Sequence, residues 1–170
     1  QCDVLFLSHQ HSDHVEEWVA QTFIDQGKPI VAPFDFWENK PIYKSITHLE
    51  RIPHTLQTLK VQCGKQSLKV VIYPGHQGES MENNVSLVVT PEGLSFSHMG
   101  DQSNFNDFKW IDEVKNNYVV DVLLPNCWTT DIVRVAKGFN PKLIITGHEN
   151  EMGHTIDHRE PYWLTYQRKT

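Results

Sequence analysis

Six consecutive residues, His9-Gln10-His11-Ser12-Asp13-His14, place three imidazoles and one carboxylate side by side. Imidazole nitrogen and carboxylate oxygen are the ligands that suit zinc and similar borderline divalent ions. In an extended loop successive residues face opposite ways and alternate ones the same way, so His9 and His11 can address one point, while Asp13 and His14 reach another. Two adjacent metal positions become possible with that spacing. A solvated polar turn is the plain alternative. The crowding of three of the chain's 10 histidines into six residues weighs against it.

Such a loop needs a rigid base. Val4-Leu5-Phe6-Leu7, immediately before it, is continuously apolar, the pattern of a short strand covered on both faces. Across residues 15–26, Val15, Trp18, Val19 and Phe23 recur at helical spacing, Glu16 and Glu17 occupy the first turn, and Gly27 is a natural stop. A second strand is expected at 29–32. The middle is β-rich: 56–62 and 67–73 form one hairpin around Cys63-Gly64-Lys65-Gln66, and 85–90 and 94–97 another around Pro91-Glu92-Gly93. The last third alternates again, with a helix at 106–116, a strand at 119–124, a helix at 130–137 closed by Gly138, and a strand at 143–146. The expectation is one α/β domain over residues 1–170, with no repeat or internal linker.

Further ligands must come from distant segments. Pro74-Gly75-His76, Gly100-Asp101 and Gly147-His148 each follow an expected strand and read as loops. Loops at one end of a sheet are where such a scaffold gathers a site. His98 could donate a hydrogen bond or proton there, or support a ligand. His154 is an alternative to His148, which is preferred because it directly follows its strand. Glu149 and Glu151 could orient these imidazoles. His48, His54 and His158 lack ligand-like spacing and read as surface residues. Trp37, Tyr162 and Trp163 read mainly as core, whereas Trp128 belongs to a loop at the same sheet end as the expected metals.

Taken in order, His9-x-His11-x-Asp13-His14, His76 in a Gly-His segment, Asp101 in a Gly-Asp after a hairpin, and His148 after a late strand resemble the metallo-β-lactamase superfamily of binuclear metallohydrolases. The resemblance runs from about Val4 to Asn150. Asp121-Val122-Leu123-Leu124-Pro125 and Asn140-Pro141-Lys142-Leu143-Ile144-Ile145-Thr146-Gly147-His148 look like the branch containing ascorbate-6-phosphate lactonase and N-acyl phosphatidylethanolamine phospholipase D. The resemblance implies an αββα sandwich with His9, His11 and His76 on one metal. Asp13, His14 and His148 would hold the other, and Asp101 would bridge both. It implies two divalent ions, zinc first with manganese or iron as alternatives, and a bridging hydroxide that cleaves an ester, lactone or phosphodiester. Asp13 and His98 would be the catalytic side chains, Asp13 orienting the nucleophile.

The family's domain begins with several strands before this loop, whereas eight residues precede His9 here. The first sheet is therefore expected to be incomplete at its N-terminal side, and to be completed by a missing segment or by a second copy of the chain. Composition sets the partners: Lys+Arg 15 against Asp+Glu 21 gives a net charge of -6, which disfavours nucleic acid and leaves a small-molecule substrate. No apolar run is long enough for a membrane span. Three cysteines without C-x-x-C spacing exclude a cysteine zinc knuckle. A flavodiiron-type redox protein is expected to carry Glu at the position of His11, so hydrolysis is preferred. A metal-binding or sensory module without turnover is the alternative outside enzymes.

Overall fold

The computed structural model describes residues 2–37, 39–40 and 49–148. The described chain forms two sheets. Strands β1 (Leu5–Phe6), β2 (Ile30–Pro33) and β3 (Leu49–Ile52) are parallel, in the order β1-β2-β3. The larger sheet runs β4 (Gln57–Cys63), β5 (Gln66–Gln77), β6 (Met81–Val89), β7 (Ser95–His98), β8 (Val122–Leu124) and β9 (Leu143–Ile144), in sequence order. Its first four strands form an antiparallel meander, and β7, β8 and β9 are parallel. Helix α1 (Glu17–Asp25) follows β1. A 3-10 turn (Phe105–Asp107), α2 (Phe108–Ile111) and α3 (Val114–Asn117) follow β7, and α4 (Ile132–Phe139) follows β8.

Strand alternation divides the core into three layers. On β5 and β6, Val70, Ile72 and Val88 meet Val31 and Phe6 of the small sheet, while Val71, Tyr73, Val85 and Leu87 meet Phe108, Ile111, Val135 and Phe139 on the helices. On the small sheet Leu5, Ile30 and Ala32 face α1 through Phe23 and Ile24. The period-2 exposure of a pleated strand thus places apolar residues on both faces of each sheet. The result is the helix-sheet-sheet-helix sandwich expected from the sequence.

Several expected boundaries move. Pro74-Gly75-His76 is strand, not loop, because β5 runs on to Gln77 and pairs His76 with Glu82 of β6. Pro74 is tolerated there because β4 has already ended opposite Ile72, and the Pro74 carbonyl on that side accepts from Trp110 Nε1 at 3.1 Å. The helix expected at 106–116 is broken into three short turns, since Asp107 points inward to bind His76 and Gln102. Gly138 lies inside α4, which ends instead at Asn140 in the left-handed region with φ 48°. A Cβ on Gly138 would fall 2.5 Å from the Ile111 carbonyl oxygen, so glycine is there for close helix contact rather than as a stop. At α1 the expected stop holds: Gly27 has φ 62°, and the N–H groups of Lys28 and Gly27 donate to the Phe23 and Ile24 carbonyls at 2.9 Å each.

Gly138→Ala should lower stability by roughly 1–3 kcal/mol, the range for forcing a methyl into a packed contact. Urea unfolding would show a lower midpoint at unchanged slope, and an unchanged midpoint would refute the contact.

Candidate metal centre

The sheet ends carry the cluster. Leu7 N–H donates to the Val31 carbonyl at 2.9 Å, extending the β1-β2 pairing, and the next carbonyl, Ser8, accepts from Asn84 N–H of β6 at 2.8 Å. The chain therefore crosses from one sheet to the other just before His9, which is wholly buried. Ser8 Oγ lies 3.1 Å from His9 Nδ1 and 3.3 Å from His14 Nδ1. With both Nδ1 atoms engaged, the two Nε2 atoms are left to point onward.

They point at Asp101, which is held from several sides. Asn83, fully buried on β6, accepts the Asp101 N–H on its Oδ1 at 2.9 Å and donates from Nδ2 to the Met99 carbonyl at 2.8 Å. Asn126 Nδ2 donates to the carbonyls of Gly100 and Gln102, both at 3.1 Å. Gly100 sits at φ 53°, and a Cβ there would lie 2.6 Å from Ser8 Cβ. The carboxylate so fixed faces two ways. Oδ2 is 3.5 Å from His9 Nε2 and accepts from Gln77 Nε2 at 3.0 Å. Oδ1 is 3.2 Å from His14 Nε2 and 3.0 Å from His148 Nε2. His148 reaches this point because the β8-β9 pairing continues through a bridge between Asn126 and Gly147, with Cys127 N–H donating to the Gly147 carbonyl at 3.0 Å.

Two groups of ligand-type atoms result. His9, His11 and Asp101 each offer one atom within 4.8 Å of the others, and Asp13, His14 and His148 do the same. His14 Nε2 and His148 Nε2 are 2.7 Å apart. His9 Nε2 and Asp101 Oδ1 are buried without a hydrogen-bond partner among the described residues. Such atoms cost about 1–3 kcal/mol each when unpaired. Convergent imidazoles around a shared carboxylate are the donor set that divalent ions take, so the residues present fit a metal.

Electrostatics agrees with that layout. Burial alone would raise the Asp101 pKa, but the facing imidazoles of His14 and His9, with His148 beside them, outweigh it and hold the carboxyl far below the usual range. The carboxylate is thus ionised and ready to ligate. His98 keeps an open face to solvent, yet desolvation by its neighbours, followed by the imidazole of His14, moves its pKa down.

Of the residues expected at the site, His9, His11, Asp13, His14, Asp101 and His148 come together. His76 stands outside both groups: its Nδ1 meets Asp107 Oδ1 at 2.8 Å, its N–H donates to Asp107 Oδ2 at 2.8 Å, and its Nε2 lies 2.9 Å from His54 Nε2. His54, expected at the surface, is half-buried against His76. His98 lines, with Asp13 and His14, a cavity of about 460 Å³ whose apolar wall includes Phe6, Val31, Ile72 and Phe96. Trp128 packs edge-on against His148 with ring centroids 5.8 Å apart. His48, Glu149, Glu151, His154, His158, Tyr162 and Trp163 lie outside the described residues. Sequence reasoning missed His54, Asp107, Gln77 and Asn83, none of which carries a motif. The Asn83-Asn84 pair, set before the apolar run Val85 to Val89 that only Ser86 interrupts, was the one available signal.

No family model matches the sequence, and no curated protein does. Solved structures do match. Igni18, a metallo hydrolase from Ignicoccus hospitalis, superposes with a TM-score of 0.65 at 16% identity, over 97% of this chain and 72% of its own. An isothiocyanate hydrolase from Delia radicum gut bacteria gives 0.67 at 12% identity, over 97% and 70%. CmlA, a diiron β-hydroxylase from Streptomyces venezuelae, gives 0.64 at 15% identity, over 86% of this chain and 35% of its own. At these identities the likeness is one of fold, and the fold is that of metallohydrolases and diiron proteins.

Asp101→Ala should lower metal uptake per chain relative to the wild type, since its carboxylate faces His9 on one oxygen and His14 and His148 on the other. Elemental analysis after metal loading checks this, and a metal content equal to that of the wild type would refute the role.

Proposed function

We propose that this chain is a binuclear metal-dependent hydrolase of the metallo-β-lactamase type, acting on an ester, lactone or phosphodiester. The observation that carries the reading is the Asp101 carboxylate, buried between His9 on one side and the His14 and His148 pair on the other. His9 and His11 with Asp101 would hold one ion, and Asp13, His14 and His148 the other. Zinc is the first expectation, with manganese or iron as alternatives. Bound there, two dications would supply an activated water near neutral pH and a Lewis acid for the substrate's carbonyl or phosphoryl oxygen.

The chain's own residues would do the rest. Asp13, exposed at the mouth, would accept a hydrogen bond from the attacking water and orient it. His98, on the wall of the adjoining cavity, would donate to the leaving group or to the substrate. The apolar side of that cavity would receive the non-reacting part of a small molecule and exclude water from it. An imidazole at position 11 supports hydrolysis over a flavodiiron-type redox role, for which Glu is expected there. The lactonase and phosphodiesterase branch belongs to the same proposal, as does a further strand on β1, which among the described residues pairs with β2 alone. Among the described residues no helix is long and apolar enough to cross a membrane.

A panel of lactone, thioester and phosphodiester substrates, run with metal-loaded and chelator-stripped protein, tests the reading. Turnover of at least one class that disappears on stripping and returns with metal is expected. No turnover in protein carrying two ions would favour a metal-binding module instead.

A further inference from the structure

His54 is a histidine of the site region that no motif points to. It sits just past β3, two residues after Ile52, and its ring is half-buried against the end of β5. There its Nε2 faces His76 Nε2 at 2.9 Å, with the ring planes 75° apart, so the contact is made through ligand-type nitrogens and not through stacked faces. Two Nε2 atoms also approach to 2.7 Å between His14 and His148, there with the ring planes 18° apart. Two nitrogens about 2.0–2.1 Å from one tetrahedral ion stand roughly 3.3 Å apart, so small ring movements would seat a cation between either pair.

The outer nitrogens support that reading. His76 Nδ1 bonds Asp107 Oδ1 at 2.8 Å, and Asp107 is itself buried and held by Gln102 Nε2 at 3.1 Å. This carboxylate fixes the proton on Nδ1 and leaves the Nε2 lone pair free to ligate. Were the contact with His54 only an N–H to N hydrogen bond between two neutral rings, His54 would have to carry its proton on Nε2. Its Nδ1 lone pair would then face the Glu82 carboxylate 3.9 Å away, buried and without a partner among the described residues. With a cation on both Nε2 atoms, both Nδ1 atoms carry hydrogen toward carboxylates, Asp107 and Glu82. That is the usual arrangement behind metal-ligating histidines.

We propose that His54 and His76 together ligate a divalent ion through their facing Nε2 atoms. The inference rests on metal binding at this sheet end and not on hydrolysis.

Cobalt(II) titration of metal-free protein, followed by calorimetry and by visible absorption, tests it on the wild type, His54→Ala, His54→Gln and His76→Ala. His54→Gln is close in size to histidine and guards against a packing defect. All three variants should lose or weaken the same binding event, by about tenfold or more, and change the cobalt spectrum. Binding at Asp13, His14 and His148 should persist. Wild-type affinity and spectrum in both His54 variants would overturn the proposal. A wild type that takes up no cobalt would overturn it together with the metallohydrolase reading, whereas failure to turn over any substrate would leave the titration result standing.

Discussion

One buried carboxylate organises this end of the molecule. Asp101 lies at the close approach of both sheets and four loops, with His9 on one oxygen and His14 and His148 on the other. A carboxylate in that place is costly unless cations or donors surround it. The surrounding structure is arranged to hold it: Asn83 bonds the Met99 carbonyl and the Asp101 N–H, Asn126 braces the Gly100 and Gln102 carbonyls, and Gly100 removes the side chain that would collide with Ser8. Asn83 of β6 and Asn126 of the loop after β8 are buried at this contact and bond the backbone around one carboxylate, whereas the core faces of the central strands are packed mainly with apolar side chains.

The scaffold contributes by convergence. β1, β7 and β9 end at one edge, and β5 and β6 turn there, so residues far apart in sequence meet at ligand distances. A second carboxylate, Asp107, repeats the design on a smaller scale. It leaves the 3-10 turn to fix His76, while Thr129 Oγ1 donates to Gln102 Oε1 at 2.9 Å and completes the support. The broken helix after β7 is the structural consequence of that inward turn.

Much of this was legible in the sequence, for identifiable reasons. The His9 to His14 cluster is contiguous and follows an apolar strand, so spacing alone exposes it. Asp101 and His148 stand directly after strands whose pattern is strong. His76 was legible as a residue but not in its setting: proline and glycine before it read as a loop, whereas β5 continues as a strand where β4 no longer covers it. Gly138 was misread for a related reason. A glycine near a helix end signals a stop locally, and only the approach of Ile111 from another helix shows its use. His54 and Asp107 were not legible, because their partners lie 22 and 31 residues away and only tertiary packing brings them into contact.

Metal content per chain bears most directly on the central role of Asp101. Protein purified without chelator, then loaded with zinc or manganese and freed of excess, should contain close to two ions per chain by elemental analysis. One ion or none in folded protein would contradict a carboxylate shared between two metal positions.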